Sequence, residues 1–385
     1  MQTHTRIHIL GRAIWRAVPC LASIALFLAW ATATAQDHSA QLQSLMTNAS
    51  SARVQGDIPH AIELYQQALQ LDPSWPEGWW YVGSMQYGAN NYAPAAIALT
   101  HYIDLTPTAG PAFALRGLCE FEEAEYPESL QDLQRGIALG AANQPRNAGI
   151  ILYHEAILLT KLGNFEQALG KYTQMVAHGD VNQDILAAIG LAGLRLPMLP
   201  KDIEPSQIEM LSAVGQAAAL FMGHDLPAAD NAFLDLFDRY PTVANLHYFY
   251  GYLLFSTDSD KAIDQFNKEL AVSPDSAITH SMLAWAYGSR SEYKASLADA
   301  QQAVKEKPTL LIAQLVLGRA LVETGDRTDG VQHLLIVLSA DPKNLDAHLA
   351  LAKAYSELGR KDDARRERLL CLEITGQGAK SHATM

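Results

Sequence analysis

The sequence predicts an all-α fold built from repeated helix pairs, and three observations predict it. Pro274, Pro308 and Pro342 are evenly spaced at an interval of about 34 residues, and Pro73 and Pro107 keep the same interval nearer the start of the chain. Before each of the first three, an apolar run with helical periodicity ends in similar words: AVSPDSA, AVKEKPTLL and VLSADPKNL. Of the 385 residues 49% are hydrophobic and 18% charged, enough apolar surface for a core and too much for a disordered chain. Proline closes each run because it removes a backbone donor and restricts the residue before it.

Taken in order, repeats begin near residues 42, 76, 110, 149, 210, 243, 277, 311 and 345. The first turns at Gly56 and fills its second helix with Ala61, Tyr65, Ala68 and Pro73; the second reads Trp79, Val82 and Gly83, then Ala95, Leu99, Tyr102 and Pro107. Phe113, Gly117, Leu133 and Gly136 hold the third, where Ala141 replaces the closing proline. An insertion around Gln144-Pro145-Arg146 precedes the fourth, with Leu152, Ala156, Leu159, Gly163, Ala168 and Tyr172. Small residues suit the places where two helices cross closely, and large ones fill the adjoining gaps. These words and their period resemble the tetratricopeptide repeat (TPR), with its W-x2-L-G-x2-Y, A-x3-F and closing-proline pattern.

The resemblance implies an α-solenoid, a superhelix of antiparallel helix pairs in two arrays. It covers about residues 42–375: about four repeats over 42–182 and about five over 210–375. Between them 183–209 reads as an irregular half repeat and Pro-rich connector, since Pro197, Pro200 and Pro205 forbid a second helix through LPMLPKDIEP. A helix near 206–222 then resumes the pattern, followed by Ala229, Phe233 and Pro241. The last repeat carries Arg368 where a large apolar residue belongs, and Arg365, Arg366 and Glu367 make its second helix polar, as a cap facing water requires. Residues 376–385 read as a flexible tail.

Residues 1–35 read as a secretory signal. Arg6, Arg12 and Arg16 form a basic region, Ala17 to Trp30 an apolar one, and Ala33-Thr34-Ala35 a cleavage site before Gln36. An uncleaved anchor is the alternative, and it is the one route by which this chain is expected to meet a membrane. Cys20 follows a poor lipobox, so lipidation is not expected. Cys119 and Cys371 fall in distant repeats, too far apart to bridge, and read as buried free thiols.

Formal net charge is −13, and without the three leader arginines 25 basic side chains face 41 acidic ones, a balance that repels phosphate backbones and argues against nucleic acid. His154-Glu155 lacks the second histidine of a zinc protease, because Leu158 stands there. Gly170-Lys171 lacks the other marks of a phosphate loop, and no nucleophile elbow occurs. His247, His280 and His348 sit at near-equivalent places on first helices, which suggests repeat descent rather than metal binding. No catalytic residue, cofactor or metal is expected.

In TPR arrays, as the resemblance implies, the first helices line a concave groove. Projecting its positions by helical spacing gives Trp80, Ser84 and Tyr87, then Leu118 and Phe121, then Tyr153. Later repeats give Trp285, Leu315, Arg319, Leu349 and Lys353. The peptide-groove candidates are Trp80, Tyr87, Phe121, Tyr153, Trp285, Arg319 and Lys353: aromatic early, mildly basic late. The competing reading of Trp80 and Trp285 is packing between repeats. No repeat has the Lys and Asn pair with which related arrays grip a C-terminal carboxylate. The expected function is an exported scaffold or adaptor, periplasmic or secreted if the host is bacterial, holding a protein or peptide partner. The alternatives are an accessory subunit of envelope assembly or polysaccharide export machinery, and an enzyme using the 197–209 loop or the groove.

Overall fold

In the computed structural model, residues 38–143 and 145–382 are described, with side chains placed except at 145, 146 and 377–382. The leader, Cys20 and Gln144 of the insertion lie outside what is described. The described residues form helices without a strand, as the periodicity predicts. None of these helices is long and apolar enough to cross a membrane. By their contacts the residues divide into two compact units, one ending at Leu158 and the other beginning at Leu159.

The first unit holds α1 (38–55), α2 (Ile58–Leu71), α3 (Pro76–Gly88), α4 (Tyr92–Leu105), α5 (Gly110–Glu122), α6 (Tyr126–Ala138) and most of α7 (Pro145–Lys161). Proline in the first turn starts α2, α3, α5 and α6, where its missing N–H costs nothing. Neighbours pack as hairpins, α3 on α4 and α5 on α6. Tyr65, Leu99 and Leu133, one repeat period apart, are at most 1% exposed and form the seam. Gly83 admits Leu99: a Cβ there would lie 2.8 Å from the Leu99 side chain. Ser129, at the small position held by Ala61 and Ala95, donates its hydroxyl to the Gly117 carbonyl at 2.6 Å and so is satisfied where it is buried.

The second unit continues with α8 (Phe165–Ala177), α9 (Gln183–Gly193), α10 (Pro205–Met222), α11 (Leu226–Arg239), α12 (Leu246–Leu254), α13 (Ser259–Val272), α14 (Ala277–Ser289), α15 (Tyr293–Glu306), α16 (Leu311–Thr324), α17 (Arg327–Ala340), α18 (Leu345–Glu357) and α19 (Lys361–His382). Between α9 and α10 the proline-rich words form only a 3₁₀ turn, Pro200–Asp202, as the prolines require. The two helices it joins cross at mutual glycines: a Cβ on Gly190 would strike the Leu211 backbone, and one on Gly215 the Leu186 carbonyl. Hence the stretch expected as a half repeat supplies α9 as a packed partner of α10. Phe233, Phe249, Phe266 and Leu334 are fully buried in this unit. Arg365, Arg366 and Arg368 of α19 are exposed, and its helix runs to His382, into the stretch expected as a tail. Cys119 and Cys371 are each buried and free. Burial pushes the Cys119 thiol up to about 12, so it stays protonated.

Candidate functional site

A hydrogen bond recurs at four of the junctions where one repeat meets the next. Trp79 Nε1 donates to the Pro73 carbonyl at 2.8 Å, and Gln314 Nε2 to the Pro308 carbonyl at 2.6 Å. His280 and His348 turn Nε2 toward the Pro274 and Pro342 carbonyls at 3.3 and 3.0 Å. Each donor follows its proline by the same short interval and stands in the opening turn of a first helix. Its other end reaches the second helix: His280 Nδ1 lies 2.8 Å from Asp299, His348 Nδ1 2.6 Å from Glu367, and Gln314 accepts from His333 Nδ1 at 2.6 Å. Trp79 instead stacks on His101, ring centres 4.2 Å apart. His247, at the same interval after Pro241, bonds Gln265 at 2.7 Å. The equivalent histidines of the sequence therefore fasten helix to helix. Among the described residues, no group of three His, Cys, Asp or Glu is placed to hold a metal ion.

On α3, Trp80 and Tyr87 are half-buried on one face, two turns apart. Trp80 leans on Tyr102 (centroids 5.5 Å) and Tyr87 meets Tyr92 edge-on at 5.8 Å; both pack against the core around Ala95 and Leu99. Burial raises the Tyr87 phenol. Phe121 is only 7% exposed and stands edge-on to His154 at 4.9 Å; His154 in turn meets the half-buried Tyr153 at 5.7 Å. Thus Phe121 and Tyr153 are joined through His154, with Phe121 as the covered support. Burial lowers the His154 pKa, and its Nδ1 bonds the Ile150 carbonyl at 2.8 Å.

Sequence reasoning missed a larger opening in the same unit. Between α1 and α3 a hollow of about 550 Å³ has an aromatic floor of Tyr65, Trp75 and Tyr81, with Met46 and Val54 on its wall and no charged lining residue. Arg53 lies over the Tyr81 ring at 4.5 Å, and Val54 is 77% exposed. Projecting the groove positions onto the first repeat gives Gln43, Met46 and Ser50, so the signal was present. A partly buried ionic knot was also not foreseen: Arg116 clamps Asp132 at 2.5 and 2.9 Å and reaches Thr100 at 3.1 Å. Glu120, desolvated and beside Asp132, is pushed up to about 7.

In the second unit Trp285, Arg319 and Lys353 stand one repeat period apart on α14, α16 and α18. The Arg319 guanidinium lies 4.7 Å over Trp285, while Lys353 pairs with Glu323. Two hollows flank Arg319 and Glu323: one of about 90 Å³ beside Trp285, one of about 190 Å³ beside Leu349 and Lys353.

The tetratricopeptide-repeat family model matches residues 46–110 and 315–369, one stretch in each unit. Solved structures that align with the chain include MamA, at 19% identity over 43% of this chain and 96% of MamA, with a TM-score of 0.38. Another is YrrB, described as a TPR protein with an unusual peptide-binding site, at 19% identity over 42% of this chain and 84% of YrrB, with a TM-score of 0.37. No curated protein sequence matches the chain significantly. The helix pairs, their seam positions and their proline-closed period make this an all-α TPR solenoid.

Proposed function

We propose that the chain is an exported scaffold or adaptor that holds a protein or peptide partner along the first-helix faces of its repeats and acts by binding. The observation that carries this reading is a contrast in burial. Seam residues such as Leu99, Leu133 and Leu334 are sealed, whereas Trp80, Tyr87, Tyr153 and Trp285 on first helices stay half-exposed. Amphipathic aromatics left half-open on a surface are among the residues that dominate binding energy at interfaces. Export rests on the leader residues Arg6 to Ala35.

Crosslinking capture from an envelope fraction, quantified by mass spectrometry, tests the placement. Trp80→Ala and Tyr153→Ala are each expected to cut capture about tenfold or more, the loss of one buried anchor. Undiminished capture by both variants, with helical content intact, would place the partner elsewhere.

A further inference from the structure

Resting on the scaffold reading above, we propose that the first-helix face of α14, α16 and α18 selects polypeptide segments carrying an Asp or Glu side chain, whose carboxylate pairs with Arg319. The guanidinium carbon lies 4.7 Å from the centre of the Trp285 ring, a contact that removes part of its water and restrains it. Two carboxylates line the adjoining hollows, Glu323 and Asp346. Glu323 is committed to Lys353, and neither lies within ion-pair distance of Arg319 among the described residues. Lys353 is therefore engaged, whereas Arg319, which pairs with no carboxylate among the described residues, lines the hollow of about 90 Å³.

That space is about the size of a carboxylate with its methylene. The neighbouring hollow of about 190 Å³, bordered by Leu349 at 51% exposure, accepts an adjacent apolar side chain. A basic segment would set a second cation against Arg319. A doubly charged phosphate would meet Glu323 on the same wall, so the singly charged side-chain carboxylate fits best.

Selection of a phage-displayed library of random dodecapeptides on the full chain tests this, followed by fluorescence polarisation with acetylated, amidated versions of the winners and their Asn/Gln counterparts. Enriched peptides are expected to share Asp or Glu, and the amide counterparts to bind about tenfold or more weakly. Arg319→Gln should erase that difference. Glu323→Gln, which removes the competing carboxylate and frees Lys353, should tighten acidic peptides several-fold, and this arm stands even if Arg319→Gln fails to fold. Enrichment of peptides without acids, or acidic peptides indifferent to both substitutions, overturns the inference and leaves the scaffold reading intact. No enrichment at all also overturns the inference, and the capture experiment above decides the scaffold reading.

Discussion

His280 faces an acceptor with each ring nitrogen, Asp299 on one side and the Pro274 carbonyl on the other. The hydrogen bond to Asp299 raises its pKa above the ordinary value; burial opposes this, and the charges of Asp299 and Glu306 add to the rise. A histidine whose folded pKa is raised gives stability that is full below the unfolded value, about 6.5, and fades as pH climbs through the folded one. His280→Gln should therefore cost most stability near pH 5–6 and progressively less toward pH 9. Urea melts of both proteins across that range provide the check, and an equal cost at every pH would refute the role. His333 works in the opposite sense, since burial lowers its pKa and its contribution fades as pH falls. At this scale the sequence revealed equivalence without partners. That 280, 314 and 348 are one position is plain from the repeat period, but the period does not show that Gln314 and His333 exchange the roles of His280 and Asp299. Such partners are chosen by helix packing, which sets the side chains of a first helix against those of the second.

Helix pairs obey the same ruler, with informative exceptions. The turn between first and second helix takes one left-handed residue in most repeats, and glycine supplies it at Gly56, Gly163, Gly325 and Gly359. Asn90, Ala124 and Ser291 take that conformation without being glycine, held by the hairpins they join. The interval from Ala124 to Gly163 exceeds the repeat period, which is the insertion seen in the backbone. The α9–α10 crossing was illegible for another reason: its sequence breaks the period, so only Gly190 and Gly215 mark the close approach. Gly215→Ala must push the Leu186 backbone aside, and a net loss of about 1–2 kcal/mol is expected after the gain in helix propensity. Gly170→Ala, on the open surface of α8 with nothing near its absent Cβ, should instead add about 0.5–1 kcal/mol. Denaturant unfolding that ranks the two variants the other way would contradict the packing.

For the molecule as a whole, a repeat array has a one-dimensional core in which each pair leans on its neighbours. That is why the fold was readable: a pattern printed many times survives local errors. The binding face was less so, because burial there depends on which aromatic a neighbour happens to cover. Phe121 and Tyr153 occupy projected groove positions alike, yet only Tyr153 stays half-open. Charge misled as well: Lys353 counts as basic in the sequence and is spent on Glu323 in space. The proposed export has its own outcome at this scale. N-terminal sequencing of the protein recovered outside the cytoplasm should begin at Gln36, and a start upstream would favour an anchored form.

The bond to the closing proline has a broader consequence. A carbonyl lone pair does not distinguish indole from imidazole or carboxamide, provided an N–H arrives at the right height. The four junctions that carry this bond are thus a standard coupling, indifferent to the chemistry of the plug. Cassettes bearing different side chains on their open faces could be exchanged along such a chain without retooling the joints, letting specificity drift while the scaffold stays in gauge.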